Sequence, residues 1–141
     1  MSLVKISSEL VGMPYRLGGT TDALDCFSLI VRYLKMRGIT VPHNLVFNGH
    51  AISDYPDEYE ADPKKMMGVA VEYIASITTE MPVYKTMAGD ILFVRTEDNE
   101  SLVINGGNGT IIAATKERGT VLLDEHGYKT QRVFRCQQNQ Q

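Results

Sequence analysis

Leu3, Ile6 and Leu10 recur at the spacing of one helix face, so residues 3–11 predict a short amphipathic helix. Gly12-Met13-Pro14 stops it, because proline disfavours helical geometry in the residue before it. Residues 15–25, with Gly18, Gly19, Thr20 and Thr21, read as a turn-rich connection. From Cys26 the pattern turns helical again: Phe27, Ile30, Val31 and Leu34 share one face, Asp25 is a natural cap, and Gly38 is placed as a left-handed stop. Residues 42–61, rich in Asn, Asp, Gly, Pro and Tyr, predict a long irregular surface loop, with the acid-rich stretch Asp54 to Asp62 as a solvated face. Asp62-Pro63 then supplies a cap and a first helical residue for a helix through Met66, Val69, Ala70, Tyr73 and Ile77.

After Pro82 the apolar residues fall into short runs of β character: 91–95, 101–105, 110–114, 120–123 and 131–135. Gly106-Gly107-Asn108-Gly109 between two of them is a tight hairpin signal. Helices first and an antiparallel sheet afterwards is the α+β pattern. There is no internal repeat. The chain divides into one domain over residues 1–136 and a polar tail over 137–141.

A length of 141 residues suits one domain with its own core. Its 43% hydrophobic and 22% charged residues are those of a soluble globular protein, which argues against extensive disorder. A net charge of −3 without a basic cluster leaves no electrostatic footprint for nucleic acid or a membrane surface. No apolar run is long enough for membrane insertion, and the N-terminus lacks the pattern of a secretory signal. Both point to cytoplasmic synthesis, with exit by lysis or inside a larger particle.

The candidate chemistry centres on Cys26. A helix N-terminus presents unpaired N–H groups and partial positive charge, which favour thiolate over thiol. The competing interpretation is a buried, inert thiol. Two cysteines, Cys26 and Cys136, are too few for a disulfide scaffold. His43, His50 and His126 lack the paired spacing of zinc sites, so no metal is expected. Gly18 and Gly19 do not reproduce a nucleotide-binding fingerprint, so they read as turn residues and no cofactor is expected.

Two blocks of the chain resemble the NlpC/P60 family of cell-wall cysteine peptidases, which have a papain-like fold. The first runs from Gly12-Met13-Pro14-Tyr15 through Gly18-Gly19 to Asp25-Cys26-Phe27-Ser28-Leu29-Ile30, closing with Gly38-Ile39 and Pro42. The second is Ala88-Gly89-Asp90-Ile91-Leu92-Phe93 with the hairpin and strand that follow. The resemblance implies that Cys26 is the nucleophile position, Tyr15 lines the site, and Asp25 is the aspartate before the nucleophile. The same alignment puts Ser101 where the family carries its catalytic histidine, and Ala113 near the third polar residue. A cysteine peptidase needs an imidazole to form the ion pair and to protonate the leaving amine.

Two functions follow. In the first, peptidase activity is lost and the domain serves as a binding or structural module. Asp25-Cys26-Phe27-Ser28 looks more like the variant in bacteriophage tail proteins, which implies tail proteins as partners and a place in the virion. In the second, Cys26 cleaves an amide in a peptidoglycan stem peptide, with His43 or His50 displaced from the loop to act as base. His126, in a polar turn, ranks below both. An acyl transferase or amidase on the same scaffold would share the need for a base.

Overall fold

Ser2 accepts the N–H of Lys5 and opens helix α1, Leu3–Leu10, which buries Ile6 and Leu10. The computed structural model describes residues 2–19 and 22–137, so Thr20, Thr21 and the tail beyond Gln137 lie outside the described residues. Helix α2, Cys26–Met36, buries Phe27, Leu29, Ile30, Tyr33 and Leu34. Gly38 then adopts φ +89, a conformation that glycine reaches without a Cβ penalty, and the helix stops there.

The stretch expected to be one irregular loop is largely ordered. It contains a hairpin of β1, Val46–Phe47, and β2, His50–Ala51, followed by a 3-10 turn and helix α3, Tyr55–Ala61. Asn48 and Gly49 take φ 50 and 79, the two left-handed positions that a tight Asn-Gly hairpin turn requires. In α3, Pro56 sits in the first turn, and Asp57 and Glu58 complement the positive helix end. The acidic stretch therefore does more than present a solvated face, because it carries Tyr55 inward. Helix α4, Pro63–Ile77, starts as expected, with the Asp62 side chain accepting from the N–H of Lys65.

The sheet comprises β3, Thr79–Met81; β4, Ile91–Arg95; β5, Glu100–Gly107; β6, Thr110–Thr115; β7, Gly119–Asp124; and β8, Lys129–Arg135. Its order is β3-β8-β4-β5-β6-β7, and every pairing is antiparallel. Strand β3 is an addition to the predicted set; it pairs only with β8 at the sheet's edge. Alternation along the strands divides the burial between two faces. Leu102, Ile104, Ile112 and Phe134 join α2 and α4 in the main core, while Leu92, Val94, Val103, Ile111, Ala113 and Val133 form a second cluster.

A buried polar hinge joins α2 to the sheet. Gly89 has φ +93, Tyr33 donates to its carbonyl at 2.5 Å, and Arg37 donates to the Tyr33 hydroxyl at 2.7 Å. Beside it, buried Asp90 accepts two hydrogen bonds from Arg135, at 2.9 and 3.0 Å, and one from the N–H of Met87. This arrangement fixes the start of β4 against the end of β8. Together with the packing of α2 on β5 and β6, it sets the end of α2 that carries Cys26 against the sheet.

Candidate active site

Cys26 is the first residue of α2, and the local sequence explains why it is held there. Asp25 and Ser28 form a reciprocal capping box: Ser28 N–H donates to Asp25 Oδ1 at 2.7 Å, and Asp25 N–H donates to Ser28 Oγ at 2.8 Å. The second Asp25 oxygen accepts the N–H of Gly18 at 2.7 Å. A Cβ on Gly19 would fall 2.4 Å from Ser28 Oγ, so the capping serine requires glycine at that position. The preceding strand-like segment is pinned as well. Leu24 N–H donates to Pro14 O and Arg16 N–H to Leu24 O, which sets Tyr15 beside Leu24.

The same connection is tied to the sheet's far edge. Gly12 N–H donates to Thr120 O and Thr120 N–H to Met13 O, both at 2.8 Å. Gly119 makes this close approach possible, since a Cβ there would lie 2.2 Å from the Met13 carbonyl oxygen.

These elements enclose a cleft of about 450 Å³. Tyr15, Asp25 and Cys26 form one side; Tyr55 and Tyr59 of α3 form another; Ser101 at the start of β5 and Ala113 in β6 come from the sheet. Cys26 is half-buried, and Ser101, which lines the cleft with it, donates its hydroxyl to the Leu102 carbonyl at 3.4 Å. Tyr55 stacks on Phe27 with ring centroids 4.8 Å apart, and Tyr59 stacks on Tyr55 at 5.6 Å. The wall opposite the sheet is therefore an aromatic column rooted in the residue after the thiol.

The electrostatics run against the helix-terminus expectation. Burial first, and then the adjacent Asp25 side chain, push the Cys26 thiol up to about 11. Hydrogen bonding from Ser101 and from the backbone of Leu102 and Cys26 opposes this without overcoming it. Burial likewise raises Tyr15 to about 12, with Asp25 and Cys26 adding to the effect, and it raises Tyr55 and Tyr59. At neutral pH Cys26 is thus a thiol and Tyr15, Tyr55 and Tyr59 are neutral phenols, in a cleft also lined by Asp25, Glu100, Glu117 and Lys116.

Among the described residues that line the cleft, none is a histidine. His43 is exposed in the turn after Pro42. His50, in β2, faces Glu58 of α3 with Nδ1 2.7 Å from Oε2, and it lines a separate apolar hollow with Phe47 and Tyr73. His126 is exposed in the turn before β8. The structure therefore brings together Cys26, Tyr15, Asp25 and Ser101, and it leaves His43 and His50 outside. Both cysteines are free. Among the described residues no group of three His, Cys, Asp or Glu is placed to hold a metal ion, and no helix is long and apolar enough to cross a membrane. Sequence reasoning did not anticipate Tyr55 and Tyr59; their spacing of four residues was the available signal.

A thiol at a capped helix start, opposed by an antiparallel sheet, is the arrangement of papain-like cysteine peptidase folds. The model of the NlpC/P60 family matches residues 12–137, and the chain belongs to that family. Solved structures show the same fold. The NlpC/P60 domain of the peptidoglycan hydrolase SagA is 19% identical, with a TM-score of 0.58 and 94% of each chain covered. The P60 domain of the antigen MAP1204 from M. avium subspecies paratuberculosis is 16% identical, with a TM-score of 0.57, covering 94% of this chain and 90% of that one. A mutated form of RipA, the resuscitation promoting factor interacting protein, is 18% identical, with a TM-score of 0.59; 97% of this chain matches 61% of that one. No curated protein matches the sequence.

Proposed function

We propose that this chain is a peptide-recognising NlpC/P60 domain that holds Cys26 as a neutral thiol and does not hydrolyse amides. The observation that carries this reading is the presence of Ser101 with Cys26 in a cleft whose described lining contains no imidazole. Acylation of a cysteine requires its proton to leave and a proton to reach the departing amine. A serine hydroxyl titrates far from neutrality and performs neither transfer. Ala113, at the position expected for an orienting group, offers no polar atom. Recognition survives this loss, because the cleft keeps its volume, its tyrosines and the buried Asp25.

Family membership and the likeness to a peptidoglycan hydrolase domain support peptidoglycan stem peptides as the ligand class. The test incubates purified protein with soluble stem peptides and follows binding and new amine termini in parallel. Binding without cleavage is expected. Cleavage that disappears in Cys26→Ala would overturn the reading in favour of an endopeptidase with a displaced base. The motif Asp25-Cys26-Phe27-Ser28 supports a phage-tail setting with other tail proteins as partners. Mass spectrometry of purified particles tests that setting, and absence of the chain from them would exclude it.

A further inference from the structure

Of the seven large apolar side chains left exposed among the described residues, three fall within five positions: Val83, Tyr84 and Met87. Single exposed apolar residues are ordinary, but a cluster on one loop marks a contact surface. Tyr84 is 83% exposed and Met87 60%, yet the segment that carries them is fixed. Met87 donates its N–H to buried Asp90, the Lys85 carbonyl accepts from Arg135, and the Thr86 hydroxyl accepts from the Asn105 side chain. A loop held in this way loses little freedom on docking, so its tyrosine and methionine are preformed anchors. The corner is also basic. Lys85 stands 6.0 Å from the Tyr84 ring centroid, Arg37 comes in beside Gly89, and Arg135 holds the loop. The acids on either side in sequence are engaged: Asp90 by Arg135, and Glu80 by two bonds from Arg132.

A complementary feature lies on the same chain. A hollow of about 490 Å³ opens where α3 meets α4, lined by Tyr59, Pro63 and Met67 and by the acids Asp62, Glu97 and Asp98. Glu100 and Arg95, also in its wall, pair with each other at 2.7 Å, which leaves three carboxylates against Lys64. Helix α4 starts at this hollow with Pro63 and ends at Ile77, just before β3. Strand β4 runs back, from Ile91 behind the loop to Arg95 in the hollow. Basic knob and acidic hollow are therefore at opposite ends of the same two elements, about 22 Å apart along α4. We infer that a second copy of this chain docks its 83–87 loop into the hollow, with Tyr84 against Tyr59 and Met67 and Lys85 beside Glu97 and Asp98. The contact is heterologous: each docked copy still offers a free knob or a free hollow, so association proceeds head to tail and does not close at a dimer.

The test is sedimentation velocity of the full chain from about 10 µM to about 1 mM, the range of weak encounters. Wild-type mass is expected to rise with concentration past that of a dimer, and added salt should weaken the association about tenfold by screening the charges. Tyr84→Ala with Lys85→Glu removes the knob and leaves the hollow; Glu97→Lys with Asp98→Lys reverses the hollow and leaves the knob. Each double variant alone should stay monomeric. Mixed, they should form a one-to-one complex that grows no further, because only one working knob and one working hollow remain per pair. A wild type that is monomeric throughout overturns the inference, and so does one that stops at a dimer. Association that survives in either variant, or a mixture that stays monomeric, overturns it as well.

Discussion

Gly18 donates its backbone N–H to the buried carboxylate of Asp25 at 2.7 Å. The other oxygen of the same carboxylate caps α2, so one side chain holds the chain on both sides of Cys26 while its charge faces the thiol. Asp25→Ala is therefore expected to have two separable effects. Loss of the cap and of a second bond to a buried acceptor should lower stability by about 2 kcal/mol, read from the urea midpoint. The thiol should become more acidic, read from alkylation rate against pH, because the nearby negative charge is gone.

In wild-type protein the alkylation rate of Cys26, measured with Cys136 replaced by serine, should keep rising to an inflection near pH 11. His43→Ala and His50→Ala should leave that profile unchanged, since neither ring lines the cleft. Ser101→His should bring the inflection below the ordinary cysteine value of 9.0, because an imidazolium beside the sulfur stabilises thiolate. A profile that responds to His50→Ala would show that the loop reaches the thiol.

The same raised thiol sets a pH dependence of stability. The folded value, about 11, lies above the ordinary 9.0, so the folded state holds its proton more tightly than the unfolded chain does. This contribution is complete below pH 9 and is lost as the pH rises through 11. The urea midpoint of wild type relative to Cys26→Ser should fall across that interval and stay level below it.

Asp90 and Arg135 form an ion pair in which the carboxylate is 3% exposed, whereas Glu100 and Arg95 pair with side chains 20% and 54% exposed. Asp90→Ala leaves the Met87 N–H without its acceptor and removes two of the bonds that hold Arg135, whose guanidinium keeps only the Lys85 carbonyl, so it should lower the denaturation midpoint clearly. Arg95→Ala should cost no more than about 1 kcal/mol. Denaturation midpoints of the two variants compare them directly.

Gly119→Ala tests the tie between the sheet edge and the cleft. Its φ of +71 is costly for a residue with a Cβ, and the added methyl collides with backbone at Met13. A loss of about 2 kcal/mol or more is expected, with displacement of Met13 and of Tyr15 two residues on. Thermal unfolding measures the first effect, and the tyrosine environment in near-ultraviolet circular dichroism reports the second.

The main helices and five strands were legible because their apolar residues are periodic over enough length to register, and the Asp25, Asp62 and Gly38 boundaries follow from side-chain chemistry alone. The segment 42–61 was misread because its elements are two to seven residues long, too short for periodicity. Asn48-Gly49 nevertheless carried its own hairpin signal, and Tyr55 with Tyr59 carried a helix-face spacing. Strand β3 depends on β8, which lies some fifty residues away, so nothing local announces it. The thiol's pKa was out of reach for a different reason. Helix-end polarity is a local property, but desolvation depends on what α3 and the sheet place over the sulfur.

Ser101 and Ala113 both sit on paired strands whose backbone is fixed by neighbours on either side. Changing those two side chains leaves the cap and the aromatic column in place. The sheet can therefore exchange the thiol's neighbours, which also line the cleft, without moving the backbone that presents the sulfur. A library varied only at 101 and 113 would sample thiol chemistries on a constant scaffold.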